Sequence, residues 1–201
     1  AQVVVDLNFY PGSLVTIDVD ADGDLDLLAS RIREARILEN DGHGSFTLGG
    51  APDLGVFSTL VAVADLDGDG DDDLVDNCGY DDACVYLSNG DSTFTMSQLL
   101  ATAVDINSIH LDDLDEDGDI DVTLGPQLGV ALNDGTGHFG AVTASTHTAN
   151  ADIASSGDFD ADGHIDYFGT RHEATYPTVT YFFGAGDGTF TPLDVYPGSF
   201  Y

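Results

Sequence analysis

The chain has 201 residues, with 37 acidic and four basic side chains and a formal net charge of −33, so it lacks the Lys/Arg contacts that nucleic-acid phosphates and anionic membrane surfaces require. No apolar run approaches the ~18 residues of a membrane-crossing helix. Hydrophobic residues make up 42% and glycines number 24, which is core and turn material for a folded chain rather than a disordered one.

Taken in chain order, residues 1–9, with Val3-Val4-Val5, read as a strand ahead of Tyr10-Pro11-Gly12-Ser13. That tetrapeptide recurs as Tyr196-Pro197-Gly198-Ser199, so residues 1–9 stand where 190–195 stand and count as a surplus outer strand. Strands are then expected at 14–19, 26–30 and 35–39, followed by the hairpin Asn40-Asp41-Gly42 and a fourth strand from Phe46. The same order returns at 60–64, 73–75 and 83–87 with Asn89-Gly90 leading to Phe94. It returns again at 109–111, 121–124 and 129–132 with Asn133-Asp134-Gly135 leading to Phe139. The last copy is 152–154, 166–168 and 178–183, then the Gly-rich 184–188 before a strand at 190–195. No stretch carries a capped helical stripe.

Between the first and second strand of every copy lies the pattern D-x-D-x-D-G-x-x-D, with starts 47, 48 and 45 residues apart. The candidate metal ligands are Asp18, Asp20, Asp22, Asp24 and Asp26; Asp65, Asp67, Asp69, Asp71 and Asp73; Asp113, Asp115, Asp117, Asp119 and Asp121; and Asp158, Asp160, Asp162, His164 and Asp166. These four nine-residue windows hold 21 of the 37 acids, a crowding that costs repulsion unless a cation is present. The expected fold is all-β: a β-propeller-type array of four four-stranded blades, either a complete small propeller or part of a larger ring or array. One repeat domain spans 1–201, with units at about 10–55, 56–103, 104–150 and 151–201. A unit this small cannot bury both faces alone, so neighbours must stack.

The aspartate loop, the strand after it and the Gly-rich hairpin ending in Phe together resemble the FG-GAP/VCBS repeat, the calcium-binding blade of integrin-α-like propellers that also occurs in fungal lectins, some polysaccharide lyases and bacterial surface proteins. The resemblance implies about four calcium ions per chain. The residues agree: calcium takes six to eight hard oxygens, which Asp at positions one, three, five and nine and a backbone carbonyl at position seven would supply, leaving the position-seven side chain free to be His164. An EF-hand shares this beginning but needs a glutamate at position 12 and flanking helices. Position 12 here is Ala29, Asp76, Leu124 or Gly169. Four calcium ions, two charges each, would take the formal charge from −33 to about −25.

Cys78 and Cys84 flank a short hairpin loop and are placed either for a disulfide, expected outside the cell, or as two free buried thiols. Arg31, Arg33 and Arg36 form the one basic cluster, suited to a sugar acid or partner carboxylate, or to internal pairing with the surplus acids. Ser108, His110 and Asp112 alternate on one strand, but nothing supplies a nucleophile elbow or oxyanion donors, so no catalytic residue is assigned. The leading expectation is a secreted or cell-surface, calcium-binding structural or adhesive protein that is not an enzyme and assembles head-to-tail through the surplus strand. A lectin is the alternative and a polysaccharide-active enzyme the second. Partners would be calcium, further copies of the chain, or a surface protein or glycan.

Overall fold

The computed structural model describes residues 4–54, 59–102, 105–144, 151–172 and 177–195. All regular structure within them is β. The first sheet contains β1 (Ser13–Ile17), β2 (Asp26–Arg31), β3 (Glu34–Asn40) and β4 (Phe46–Leu48). The second contains β5 (Val61–Ala64), β6 (Asp73–Asn77), β7 (Asp82–Ser88) and β8 (Phe94–Ala101). The third holds β9 (Ile109–Asp112), β10 (Asp121–Leu124), β11 (Gly129–Ala131) and β12 (Thr143–Ala144). The fourth holds β13 (Asp152–Gly157), β14 (Asp166–His172), β15 (Pro177–Gly184) and β16 (Phe190–Val195). Each sheet is an antiparallel meander in sequence order, four strands wide.

Three cores lie between successive sheets. Ile17, Val19, Leu28 and Ile37 pack against Leu74, Cys84 and Tyr86 of the second sheet. Leu66, Val75 and Val85 pack against Val122, Leu124 and Phe139 of the third. Leu114, Leu128 and Val130 pack against Ile153, Tyr167 and Phe182 of the fourth. Among the described residues no fourth core joins the last sheet to the first. This sandwiching explains why β6 and β10 are buried along their whole length. Neighbours cover both of their faces, so neither strand shows the one-sided alternation of a half-exposed strand.

Two expectations need correction. The surplus strand proposed for residues 1–9 is not formed over its described part: residues 4–9 belong to no strand and Val4 is 77% exposed. Residues 1–3 and the second Tyr-Pro-Gly-Ser lie outside the described residues. Apolar composition alone makes no ladder, and among the described residues no strand edge pairs with residues 4–9. The first strand also stops at Ile17 rather than at 19, because the Asp18 N–H is turned toward Asp72 Oδ2 of the second unit (2.9 Å).

Of the arginines, Arg31 bonds Glu34 through Nε (2.6 Å) and its guanidinium lies 5.2 Å from the Phe9 ring centre. Arg36 donates to the Ala35 carbonyl (2.7 Å). Cys78 and Cys84 form a disulfide across the turn between β6 and β7, with Cα atoms 5.6 Å apart.

Candidate metal centre

Each aspartate loop reverses the chain from the first to the second strand of its sheet, and the reversal is built from the aspartates themselves. The first aspartate accepts the N–H of the glycine at position six: Gly23 to Asp18 (3.0 Å), and Gly70, Gly118 and Gly163 to Asp65, Asp113 and Asp158 (3.1 Å each). The fifth accepts the N–H of position seven, as in Asp119 to Asp117 (3.0 Å) and His164 to Asp162 (2.9 Å). Position six is left-handed in every loop, with φ between 88° and 99°, which only glycine adopts without strain. Position four is left-handed too, and three loops place a non-glycine there: Ala21, Glu116 and Ala161.

The ninth aspartate has a second role that spacing does not reveal. Asp26, Asp73, Asp121 and Asp166 are buried at the start of the second strand, and each carboxylate accepts two backbone N–H groups. Asp73 takes those of Leu66 (2.8 Å) and Ser88 (2.7 Å), and Asp121 those of Leu114 (2.9 Å) and Asn133 (2.8 Å). Asp26 takes those of Val19 (3.1 Å) and Asn40 (2.7 Å), and Asp166 those of Phe159 and Gly184 (2.8 Å each). The residue thus staples the loop to the end of the third strand. A recurring Asp opening an otherwise apolar strand was the available signal.

The same loops draw carboxylates together. Oxygens of Asp18, Asp20 and Asp22 lie within 4.8 Å of one another, as do those of Asp65, Asp67 and Asp73, of Asp113, Asp115 and Asp121, and of Asp158, Asp160 and Asp166. The structure therefore brings together positions one, three and nine in three loops, and one, three and five in the first. Asp69, Asp117, Asp162 and Asp26 stand outside these triplets. So do the position-seven side chains of Asp24, Asp71, Asp119 and His164. These lie against the hairpin glycines Gly42, Gly90, Gly135 and Gly186, so closely that a Cβ there would overlap them. The hairpin glycines are required for that contact as well as for their positive φ.

The triplets are electrostatically unbalanced. Burial, and then the carboxylate two residues on, hold Asp20, Asp67, Asp115 and Asp160 above the usual carboxylate range. Burial pushes Asp73 and Asp121 up to about 6 despite their two N–H donors. Asp18 Oδ1, Asp113 Oδ1 and Asp115 Oδ1 are buried and accept no hydrogen bond. Converging hard oxygens, some buried without a partner, fit a divalent cation of the calcium type.

Successive units also meet at these loops. The position-two carbonyls of Val19, Leu66 and Leu114 accept the N–H groups of Ser92, Gly137 and Gly188, in the hairpin of the following sheet, at 3.0 Å each. His164 Nδ1 contacts Glu116 Oε1 of the preceding loop, which raises the imidazole pKa. Elsewhere, Asp112 accepts the Tyr167 hydroxyl (2.7 Å) and the Ser156 hydroxyl (3.2 Å). Its carboxylate thus serves the junction of the third and fourth sheets, and burial holds the His110 pKa down.

Residues 18–75, from the first aspartate loop through the second, match the model of the FG-GAP-like repeat. That segment is similar to an FG-GAP-like repeat, and the fold of the described residues is a β-propeller-type array of four four-stranded sheets. Among solved structures it is similar to an Agrocybe aegerita lectin described as recognising non-reducing terminal N-acetylglucosamine, with a TM-score of 0.63 and 22% identity over 91% of this chain and 51% of the lectin. It therefore spans about half the length of that lectin. It also aligns with the V. cholerae biofilm matrix protein Bap1 at a TM-score of 0.47 and 15% identity, over 92% of this chain and 38% of that one. No curated protein sequence matches it.

Proposed function

We propose that this protein is an extracellular, non-catalytic structural or adhesive repeat module whose four aspartate loops each hold one calcium ion. The observation that carries the reading is a carboxylate triplet in each of the four loops, with buried oxygens of Asp18, Asp113 and Asp115 left without a hydrogen-bond donor. Asp18, Asp20 and Asp22 would hold the first ion; Asp65, Asp67 and Asp73 the second; Asp113, Asp115 and Asp121 the third; and Asp158, Asp160 and Asp166 the fourth. The remaining loop aspartates and the position-seven carbonyls complete the expected ligand set. Three of the loops also carry the carbonyl that receives the next sheet, so an ion that rigidifies a loop rigidifies the junction between units. The Cys78–Cys84 disulfide supports an oxidising, extracellular setting.

Equilibrium metal analysis tests the proposal and should find about four calcium ions per chain, one per triplet. Chelation should lower the melting temperature substantially, because a ligand that binds only the folded state stabilises it by mass action. A melting temperature unchanged after complete calcium removal would overturn the reading.

Glycan binding is the second reading. It is supported by the fold shared with a lectin and by a groove of about 330 Å³ between the third and fourth sheets, lined by Leu128, Val130, Thr143, Gly188, Thr189 and Phe190. A glycan array decides between the two readings.

A further inference from the structure

The register of the sheets identifies which residues each unit presents to the next. On the face turned toward the following unit, Leu28 pairs with Ile37 and Val75 with Val85, and all four are buried in the cores between sheets. In the fourth sheet the equivalent pair is Phe168 and Tyr181. Phe159 stands where Val19, Leu66 and Leu114 stand, and Phe183 lies two residues beyond Tyr181, as Leu87 lies beyond Val85. These four aromatic side chains contact one another, Phe159 to Phe168 at 5.5 Å, Phe168 to Tyr181 at 6.3 Å and Tyr181 to Phe183 at 6.1 Å between ring centres. No sheet covers them among the described residues, and Phe159 is 44% exposed where its counterpart Leu66 is 1% exposed.

The first sheet shows the complementary surface. Leu14 is equivalent in register to Val61 and Ile109, which pack into the cores behind them, and Leu25 occupies the loop position of Ile120 and Ile165. Leu14 and Leu25 are instead 56% and 58% exposed. The backbone repeats the pattern. Gly44 occupies the hairpin position from which Ser92, Gly137 and Gly188 donate to the preceding unit, and the Phe159 carbonyl occupies the accepting position. Among the described residues these two ends of the ladder have no neighbouring unit.

We propose that the Phe159/Phe168/Tyr181/Phe183 face docks the Leu14/Leu25 face of a second copy of this chain, continuing the interface that joins successive units. The occupant follows from the interface itself, because the surface shown three times to fit this kind of face is the near face of the next repeat. The two docking faces differ, so the contact is head-to-tail and propagates wherever it does not close into a ring. It also removes an exposed apolar patch from water at each end. The assembly rests on packing between repeats rather than on the calcium reading, and it needs no added strand from residues 1–9.

Sedimentation velocity on the full chain tests this in calcium buffer, with metal content measured on the same samples. Wild type should show species heavier than the 21.0 kDa monomer, increasing with concentration. Phe159→Glu and Leu14→Glu should each abolish them, while an equimolar mixture of the two variants should give a dimer and nothing larger, because one intact pair of faces remains. Far-ultraviolet circular dichroism and a retained thermal transition certify folding. Leu14 is exposed on β1, so Leu14→Glu tests the contact even if the aromatic variant unfolds. A wild-type chain that stays monomeric, or an assembly that survives Leu14→Glu, would overturn the proposal.

Discussion

Asp121 separates the structural job of an aspartate loop from the cation-binding job proposed for it. Its side chain is fully buried, and it accepts the N–H groups of Leu114 (2.9 Å) and Asn133 (2.8 Å) as well as facing Asp113 and Asp115. Asp121→Ala strands both donors away from water. Each buried unsatisfied group costs about 1–3 kcal/mol, so the loss should be about 2–6 kcal/mol, a large part of the ~5–15 kcal/mol that holds a domain of ordinary stability. Removing a buried carboxylate offsets some of this, which is why Asp121→Asn is the informative comparison. It deletes the same charge but keeps one acceptor, and should cost about half as much. Urea unfolding in excess chelator reads the staple alone, and repetition in calcium adds the contribution of the lost ligand. If Asp121→Ala unfolds in chelator within ~0.5 kcal/mol of wild type, the ninth aspartate is only a cation ligand and the staple argument fails.

Metal-free protein should be more stable near pH 5 than at pH 7. Asp73 and Asp121 titrate at about 6 in the folded chain against ~3.9 when unfolded, so the folded state holds protons that the unfolded state has released, and stability falls as pH rises through that window. Calcium-loaded protein should respond oppositely, losing affinity below about pH 6 as protons compete for those carboxyls; a metal-free melting temperature that climbs from pH 5 to 7 would contradict the assignment. Ala161→Gly should raise stability by about 0.5–1 kcal/mol in a denaturant titration by relieving a left-handed alanine, whereas Gly163→Ala, at φ +99° with open space around its Cβ, should cost about 1–2 kcal/mol from backbone strain alone. Non-reducing mass spectrometry should show Cys78 and Cys84 two hydrogens short of free thiols. Replacing both by serine should cost about 2 kcal/mol, the loop-closure value for a bridge spanning six residues.

The sequence by itself determined what depends on near neighbours. Asp at alternate positions with glycine at the sixth describes a loop whose side chains bond its own backbone, so the spacing of Asp113, Asp117 and Gly118 already contained the geometry later seen around them. The hairpin glycines and the short apolar runs between them set the four-stranded meander for the same reason, since adjacent strands find each other through tight turns.

Relations between distant strands and between units were a matter for the tertiary structure. Asp73 and Asp69 look alike in the sequence, yet one is buried against two N–H donors and joins the triplet while the other stays on the loop rim. What separates them is where the third strand of the same sheet returns. Val3-Val4-Val5 reads as a strand by composition, but a strand exists only where another edge accepts its hydrogen bonds, and residues 4–9 meet none. Whether an apolar face is core or surface is likewise decided by its neighbour. Val75 and Phe168 occupy one register position in two repeats, and Val75 is buried because a third sheet lies over it, while among the described residues no sheet lies over the face that carries Phe168.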